Sequence, residues 1–205
     1  VLDVGTLMAP RGIGTMIGMG IVGKLINYVD PRALILTGLS FTIASLYTMT
    51  GFSTFVPADT IVWTGLMQGF GLGLIFVPLS TIAYATLNPK YRAEAASVFN
   101  LTRNLGSSIG ISIVMTVLSR NLQINHAILT EHSTPFTGGV AWKQVPDSLI
   151  NVTSGMLGML DGEVNRQAAT IAYINDFKLM MWVVIASVPF VLLLKSPKKD
   201  TETDG

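Results

Sequence analysis

The sequence predicts an all-α fold, a polytopic transmembrane helical bundle of about five spans. Three observations carry that prediction. Half of the 205 residues are apolar and only 12% are charged, against roughly 25% charged in a soluble domain. Five stretches, 5–26, 33–52, 60–87, 93–119 and 177–194, match or approach the run of about 20 mostly apolar residues that crosses roughly 30 Å of hydrocarbon. Short connections rich in turn residues separate the first four. The predicted organisation is four membrane helices with short loops over 1–119, then a long extracytoplasmic loop with short helices over 120–176. A last membrane helix over 177–195 and a cytoplasmic tail over 196–205 complete it.

The first span follows Asp3, a natural helix cap, and holds Pro10, Arg11 and a series of glycines. Arg11 lies near one end, where its stem can snorkel to headgroups, so its expected role is an intramembrane anchor. Gly14 and Gly18 form a small-xxx-small pair that lets another helix approach closely. Asp30-Pro31-Arg32 closes the first connection, because the residue before a proline is driven out of helical geometry. The third span carries Gln68, a neutral polar group at membrane depth that can bond either a substrate or a neighbouring helix. Gly69, Gly71 and Gly73 follow it as further packing positions, and Asn88-Pro89-Lys90 ends the span.

The fourth span holds the densest polar pattern. Asn100, Arg103, Asn104, Ser107 and Gly110 recur at spacings of three and four, and so share one helix face. Arg103 sits about ten residues into the segment, roughly 15 Å along the axis, too deep for easy snorkelling. A charge at that depth is expensive and conventionally faces a cavity or a partner. Two readings stand side by side: the face lines a water-accessible cavity, or it forms a structural hydrogen-bond network between helices. Gly106 and Gly110 form a second close-packing pair. Glu94 opens this span, where the helix dipole favours a carboxylate. Apart from Glu94, no Asp or Glu falls inside the predicted spans.

Charge asymmetry orients the bundle. Lys24 and Arg32 flank the first connection, Lys90 and Arg92 the third, and Lys195, Lys198 and Lys199 follow the last span, whereas 53–59 has no Lys or Arg. Short cytoplasmic loops carry the Lys/Arg excess, which puts the first and third connections and the C-terminus in the cytoplasm.

Composition excludes several function classes. Cysteine is absent, which removes disulfides, thiol nucleophiles and thiolate metal sites. His126 and His132 are the two histidines, and their spacing matches no usual ligand pattern, so no metal site is expected. A net charge of +1 gives no electrostatic footprint for nucleic acid. No phosphate-binding loop or His-Glu-x-x-His pair appears, and neither an enzymatic activity nor a cofactor is expected. The opening at Val1, without a methionine or a signal-like region, reads as an excerpt from a longer polytopic protein.

Several segments resemble one family. The stretch Gly23-Lys24-Leu25-Ile26-Asn27-Tyr28-Val29-Asp30-Pro31-Arg32 is similar to the cytoplasmic loop motif of the major facilitator superfamily, with Asn27 and Pro31 departing from its Asp and second Gly. Ala9-Pro10-Arg11-Gly12-Ile13-Gly14, Gln68-Gly69-Phe70-Gly71-Leu72-Gly73, Phe99-Asn100-Leu101-Thr102-Arg103-Asn104-Leu105-Gly106-Ser107-Ser108-Ile109-Gly110 and His126-Ala127-Ile128-Leu129-Thr130-Glu131 resemble its fourteen-helix drug:proton antiporter branch. The resemblance implies the last five of fourteen helices, part of the C-terminal half of a major facilitator fold in the plasma (inner) membrane of a bacterium. It implies a part of a proton-coupled multidrug efflux transporter that exports amphipathic compounds by alternating access. Arg103, Asn100, Asn104, Ser107 and Gln68 would then be cavity or interhelix polar groups, and Gly23, Lys24, Asp30 and Arg32 a loop that latches helix ends. The implied partners are the N-terminal half of the same polypeptide, lipids, drug-like substrates and protons, with a periplasmic adaptor protein as a further candidate. The proton-coupling carboxylates would lie largely in that N-terminal half. The rival reading is a non-transporting scaffold or accessory module that uses a transporter-like fold.

Overall fold

The computed structural model describes residues 2–85, 87–132 and 150–193. Five helices make up the fold: α1 (Leu2–Leu25), α2 (Pro31–Thr50), α3 (Ala58–Ala85), α4 (Arg92–His132) and α5 (Ile150–Leu193), with a short 3₁₀ turn at Pro89–Tyr91 before α4. Four of them contain stretches long and apolar enough to cross a membrane: Pro31–Thr50, Ala58–Tyr84, Arg92–Leu129 and Gly162–Leu193. The 24 residues of α1 suffice in length, but its glycines together with Arg11 and Lys24 dilute its apolarity. It joins the bundle by packing on α3.

Local chemistry explains the helix ends. Asp30 caps α2: its Oδ1 accepts the Arg32 backbone N–H at 3.0 Å, and Pro31 occupies the first turn, where a missing N–H goes unnoticed. Asn88 does the same ahead of the 3₁₀ turn, its Oδ1 accepting the Lys90 N–H at 3.1 Å. Pro10, Pro78 and Pro189 lie inside continuous helices. Hydroxyls along the spans donate back to the preceding turn, as Thr37 does to the Ala33 carbonyl oxygen at 2.8 Å and Thr42 to that of Gly38 at 2.9 Å. Apolar surroundings offer no water, so a polar side chain satisfied within its own helix is the economical solution.

The two flanking helices reach further than the apolar pattern predicts. α4 continues past Ser119 to His132, and α5 begins at Ile150, well before Phe177. Much of 120–176 is therefore helical extension of its neighbours, since helical hydrogen bonding needs no apolar side chains and 120–132 contains neither Gly nor Pro. Asp176 lies inside continuous α5, where its polar stretch passes into the apolar run that starts at Phe177. The tail 196–205, with Lys198 and Lys199, and Lys195 just before it, lie outside the described residues, as does 133–149.

Helix α3 is central to the first three helices, lying between α1 and α2, while α5 packs on α2 and α4. Glycine makes the α3 contacts close. A Cβ on Gly14 would strike the carbonyl oxygen of Leu66, one on Gly69 that of Arg11, and one on Gly18 would come within 2.7 Å of the Phe70 carbonyl oxygen. On the opposite side of α3, Gly71 and Gly38 meet, a Cβ on either standing 2.7 Å from the other's carbonyl oxygen. Backbone approach this tight is the small-residue mode of membrane helix association. The buried Ser45 hydroxyl adds a cross-helix bond to the Thr64 carbonyl oxygen at 2.7 Å. Apolar packing fills the rest. Val22, Leu34 and Leu74 form one cluster, flanked by Phe41 and Phe70, whose rings meet edge-on at 5.1 Å. Ile35, Leu39 and Val191 form the second, tying α2 to α5.

Candidate functional site

The first three helices use two sides of α3. Gly69 and Gly73 face α1, and Gly71 faces α2. At 100° per residue the remaining sector of α3 presents Gln68, Leu72, Phe76 and Leu79. Leu72, Phe76 and Leu79 are exposed, and Gln68 is half-buried. This open sector looks toward α4.

Helix α4 meets it with its polar face. The Arg103 guanidinium lies over the Phe76 ring, 5.1 Å from the centroid, and four residues earlier Phe99 packs edge-on against Tyr84 at 5.6 Å. These ring contacts are characteristic of how α3 touches α4, which it otherwise barely contacts. Residues 100–113 are exposed throughout. Asn100, Asn104 and Ser107 thus stand on an accessible helix face beside Arg103, and the Ser107 hydroxyl donates only to the Asn104 carbonyl oxygen, at 3.0 Å. Around this contact α3 exposes aromatic and aliphatic side chains, and α4 exposes amides, a hydroxyl and one guanidinium. A cation held on a ring face is favourable by about 0.5–2 kcal/mol depending on desolvation, so Arg103 has a defined position without a carboxylate partner among the described residues. A surface of that mixed character can meet amphipathic molecules, apolar bodies against Leu72 and Phe76 and hydrogen-bonding groups against the α4 amides.

Gly69 and Gln68 illustrate how neighbouring residues divide the work on α3. Gly69 is buried under α1, and Gln68 borders the open sector. Arg11 is exposed, and its backbone, more than its charge, is what α3 meets. The two glycine pairs behave differently: Gly14 and Gly18 are buried under α3, whereas Gly106 and Gly110 have open space where a Cβ would stand. Gly106-Ser107-Ser108-Ile109-Gly110 also spells the lettering of a nucleophile elbow, yet it lies within continuous α4, without the strand-to-helix turn that motif requires. In the first connection Gly23 and Lys24 are exposed, Asp30 caps α2, and Arg32 is half-buried with its Nε lacking a hydrogen-bond partner among the described residues.

Residue-level reading of the sequence missed two polar groups. Asp176 is 4% exposed on α5, and its Oδ1 has no hydrogen-bond partner among the described residues; the Asn125 amide nitrogen on α4 is likewise buried and unpartnered. The spacing of Ala168, Ala172 and Asp176, one buried face at intervals of four, was the available signal.

Comparison with known proteins gives a consistent answer. The family model described as Major Facilitator Superfamily matches residues 1–127. The chain is 26% identical over 194 residues to the fatty acid resistance protein FarB of Neisseria gonorrhoeae, covering 94% of this chain and 38% of that protein. It is 29% identical over 195 residues to the probable multidrug resistance protein EmrY of Escherichia coli, covering 92% and 36%. With the multidrug export protein EmrB of Escherichia coli it shares 32% identity over 133 residues, 64% of this chain and 26% of that protein. The chain thus spans well under half the length of these curated relatives.

Proposed function

Because the chain belongs to the major facilitator superfamily, we propose that it forms part of a proton-coupled transporter that exports amphipathic compounds across the inner membrane by alternating access. The observation that carries this reading is the Arg103 guanidinium resting on the Phe76 ring, beside the exposed amides of Asn100 and Asn104. An aromatic wall facing a polar one suits substrates that carry both characters. The relatives named for multidrug resistance and multidrug export support the same substrate class. The rest of the polypeptide supplies the opposing wall of the substrate path, in the manner of two helical halves rocking about a midplane site. In this reading Gly23, Lys24, Asp30 and Arg32 belong to a cytoplasmic latch, the C-terminus is cytoplasmic, and a periplasmic adaptor extends the export path.

The test is export by the complete protein. Expressed in a bacterial host lacking its major efflux pumps, it should extrude ethidium and raise tolerance to amphipathic antibiotics, and a protonophore should abolish the extrusion. Ethidium retention equal to that of an empty-vector strain, with the protein present in the membrane fraction, would refute the assignment and favour the scaffold alternative.

A further inference from the structure

The proposed export mechanism needs a group that binds a proton in one arrangement of the helices and releases it in another. Taking that reading as its setting, we propose that Asp176 is a proton-binding site whose occupancy is coupled to how α5 seats against α2 and α4.

Asp176 is 4% exposed and stands at the head of the apolar run of α5 that starts at Phe177, following Ala168 and Ala172 on the buried face of the helix. Its Oδ1 is completely enclosed and receives no hydrogen bond from the described residues. A carboxylate oxygen taken from water without a donor is among the most unfavourable groups to bury. A proton compensates such an oxygen without requiring added room between the helices.

The surrounding charges supply no substitute. On α2 the only charged residue is Arg32, at the opposite end of the helix from the Phe52–Phe177 ring contact, where rings meet at 6.3 Å. Tyr47, the other titratable group on α2, is exposed. Helix α4 carries Arg92, Glu94, Arg103, Arg120, His126, Glu131 and His132; Arg92, Glu94, Arg103 and Arg120 are exposed, and no ion pair joins any of those four to Asp176 among the described residues. On α5 itself Glu163 and Arg166 pair with each other at 2.9 Å, and Lys178 is exposed. The residue next in sequence, though not Asp176 itself, borders a cavity. Phe177 and Tyr173 help line a cavity of about 340 Å³ between α5 and the α2–α3 connection, with the hydroxyl-bearing residues Ser53, Thr54 and Thr170 around it. That is room and polarity enough for water. Separation of α5 from its neighbours would open Asp176 to such water and let the proton leave. Binding and conformation are then linked reciprocally, which is what coupling requires.

Two measurements on the complete protein test this. In proteoliposomes, an imposed pH gradient should accelerate ethidium transport. Asp176→Asn should lose that acceleration by about tenfold or more, with downhill ethidium equilibration kept within about twofold, and Asp176→Glu should restore most of it. In the unaltered protein, dicyclohexylcarbodiimide, an apolar reagent that attacks protonated carboxyls, should modify Asp176, and the modification read by mass spectrometry should fall several-fold between about pH 6 and pH 9. Full gradient acceleration in Asp176→Asn overturns the proposal, as does absent or pH-independent modification of Asp176. An unaltered protein that ignores the gradient yet shows pH-dependent modification refutes proton-coupled export while upholding Asp176 as a proton site. If Asp176→Asn fails to reach the membrane, the modification profile of the unaltered protein decides alone.

Discussion

Gly14 and Gly18 on α1 have the same spacing as Gly106 and Gly110 on α4, yet their surroundings are opposite. The first pair lies under the backbone of α3, whereas the second faces open space. A small-xxx-small pattern states that close approach is permitted; it does not say which helix accepts the invitation. On α1 the acceptance is written on the partner, since α3 offers Gly69 and Gly73 at matching positions and both chains come together without side chains between them. No other described helix offers such a surface to α4, whose polar face is exposed.

The sharpest way to break this contrast is to fill the α1–α3 contact. In Gly69→Leu the new side chain would begin at a point already occupied by the Arg11 carbonyl oxygen. Overpacking a tight site costs about 1–3 kcal/mol, occasionally more, and backbone collision puts this variant at the upper end. We expect the melting temperature of the purified protein to fall by roughly 6–12 °C, or the protein to vanish from the membrane fraction. A melting curve superimposable on that of the unaltered protein would show that α1 does not press on α3 as described. A smaller effect of a different kind is expected where α4 meets α3. Arg103→Ala should leave membrane insertion and melting nearly unchanged and lower ethidium export by about tenfold, a loss of roughly 1.4 kcal/mol. Undiminished export would remove Arg103 from the site. The smallest change belongs to Gly106→Ala, which meets nothing within 4 Å and gains up to about 1 kcal/mol of helix propensity. Measured by thermal melting of the complete protein, it should be neutral or slightly stabilising. Destabilisation there would mean that another part of the polypeptide lies against this face, and would make the two glycine pairs alike.

Much of this arrangement was legible in the residues themselves. Apolar runs marked the helices, and Asp30-Pro31 and Asn88-Pro89 marked the connections between them; that Asp30 and Asn88 also accept backbone N–H groups there comes from the structure. The polar face of α4 followed from helical periodicity alone. What could not be read was extent and enclosure. Residues 120–132 are polar enough to resemble a loop, yet α4 runs through them; 165–176 carries the helical spacing of Ala168, Ile171 and Ala172 that leads into the last span, and α5 extends that helix back to Ile150. Asp176 was hidden on the second count: in a linear reading it precedes the last apolar run, whereas in the fold it is enclosed by neighbours far away in sequence. The Arg103–Phe76 contact was equally illegible, because helical spacing tells which residues share a face but not which ring that face will meet.

The close glycine contacts of α3 have a mechanical consequence. Where backbone touches backbone on two sides, no side-chain rotamer is left to absorb sliding, so α1, α3 and α2 move as a single stiff plate. Between α3 and α4 the joint is instead a pair of ring contacts and a six-residue link, 86–91, that includes a single 3₁₀ turn. Rings can slip past one another by small steps, as shear motions between packed helices do. Helix α4 is therefore held only lightly by α3 and joins the other helices mainly through α5, which packs on both α2 and α4.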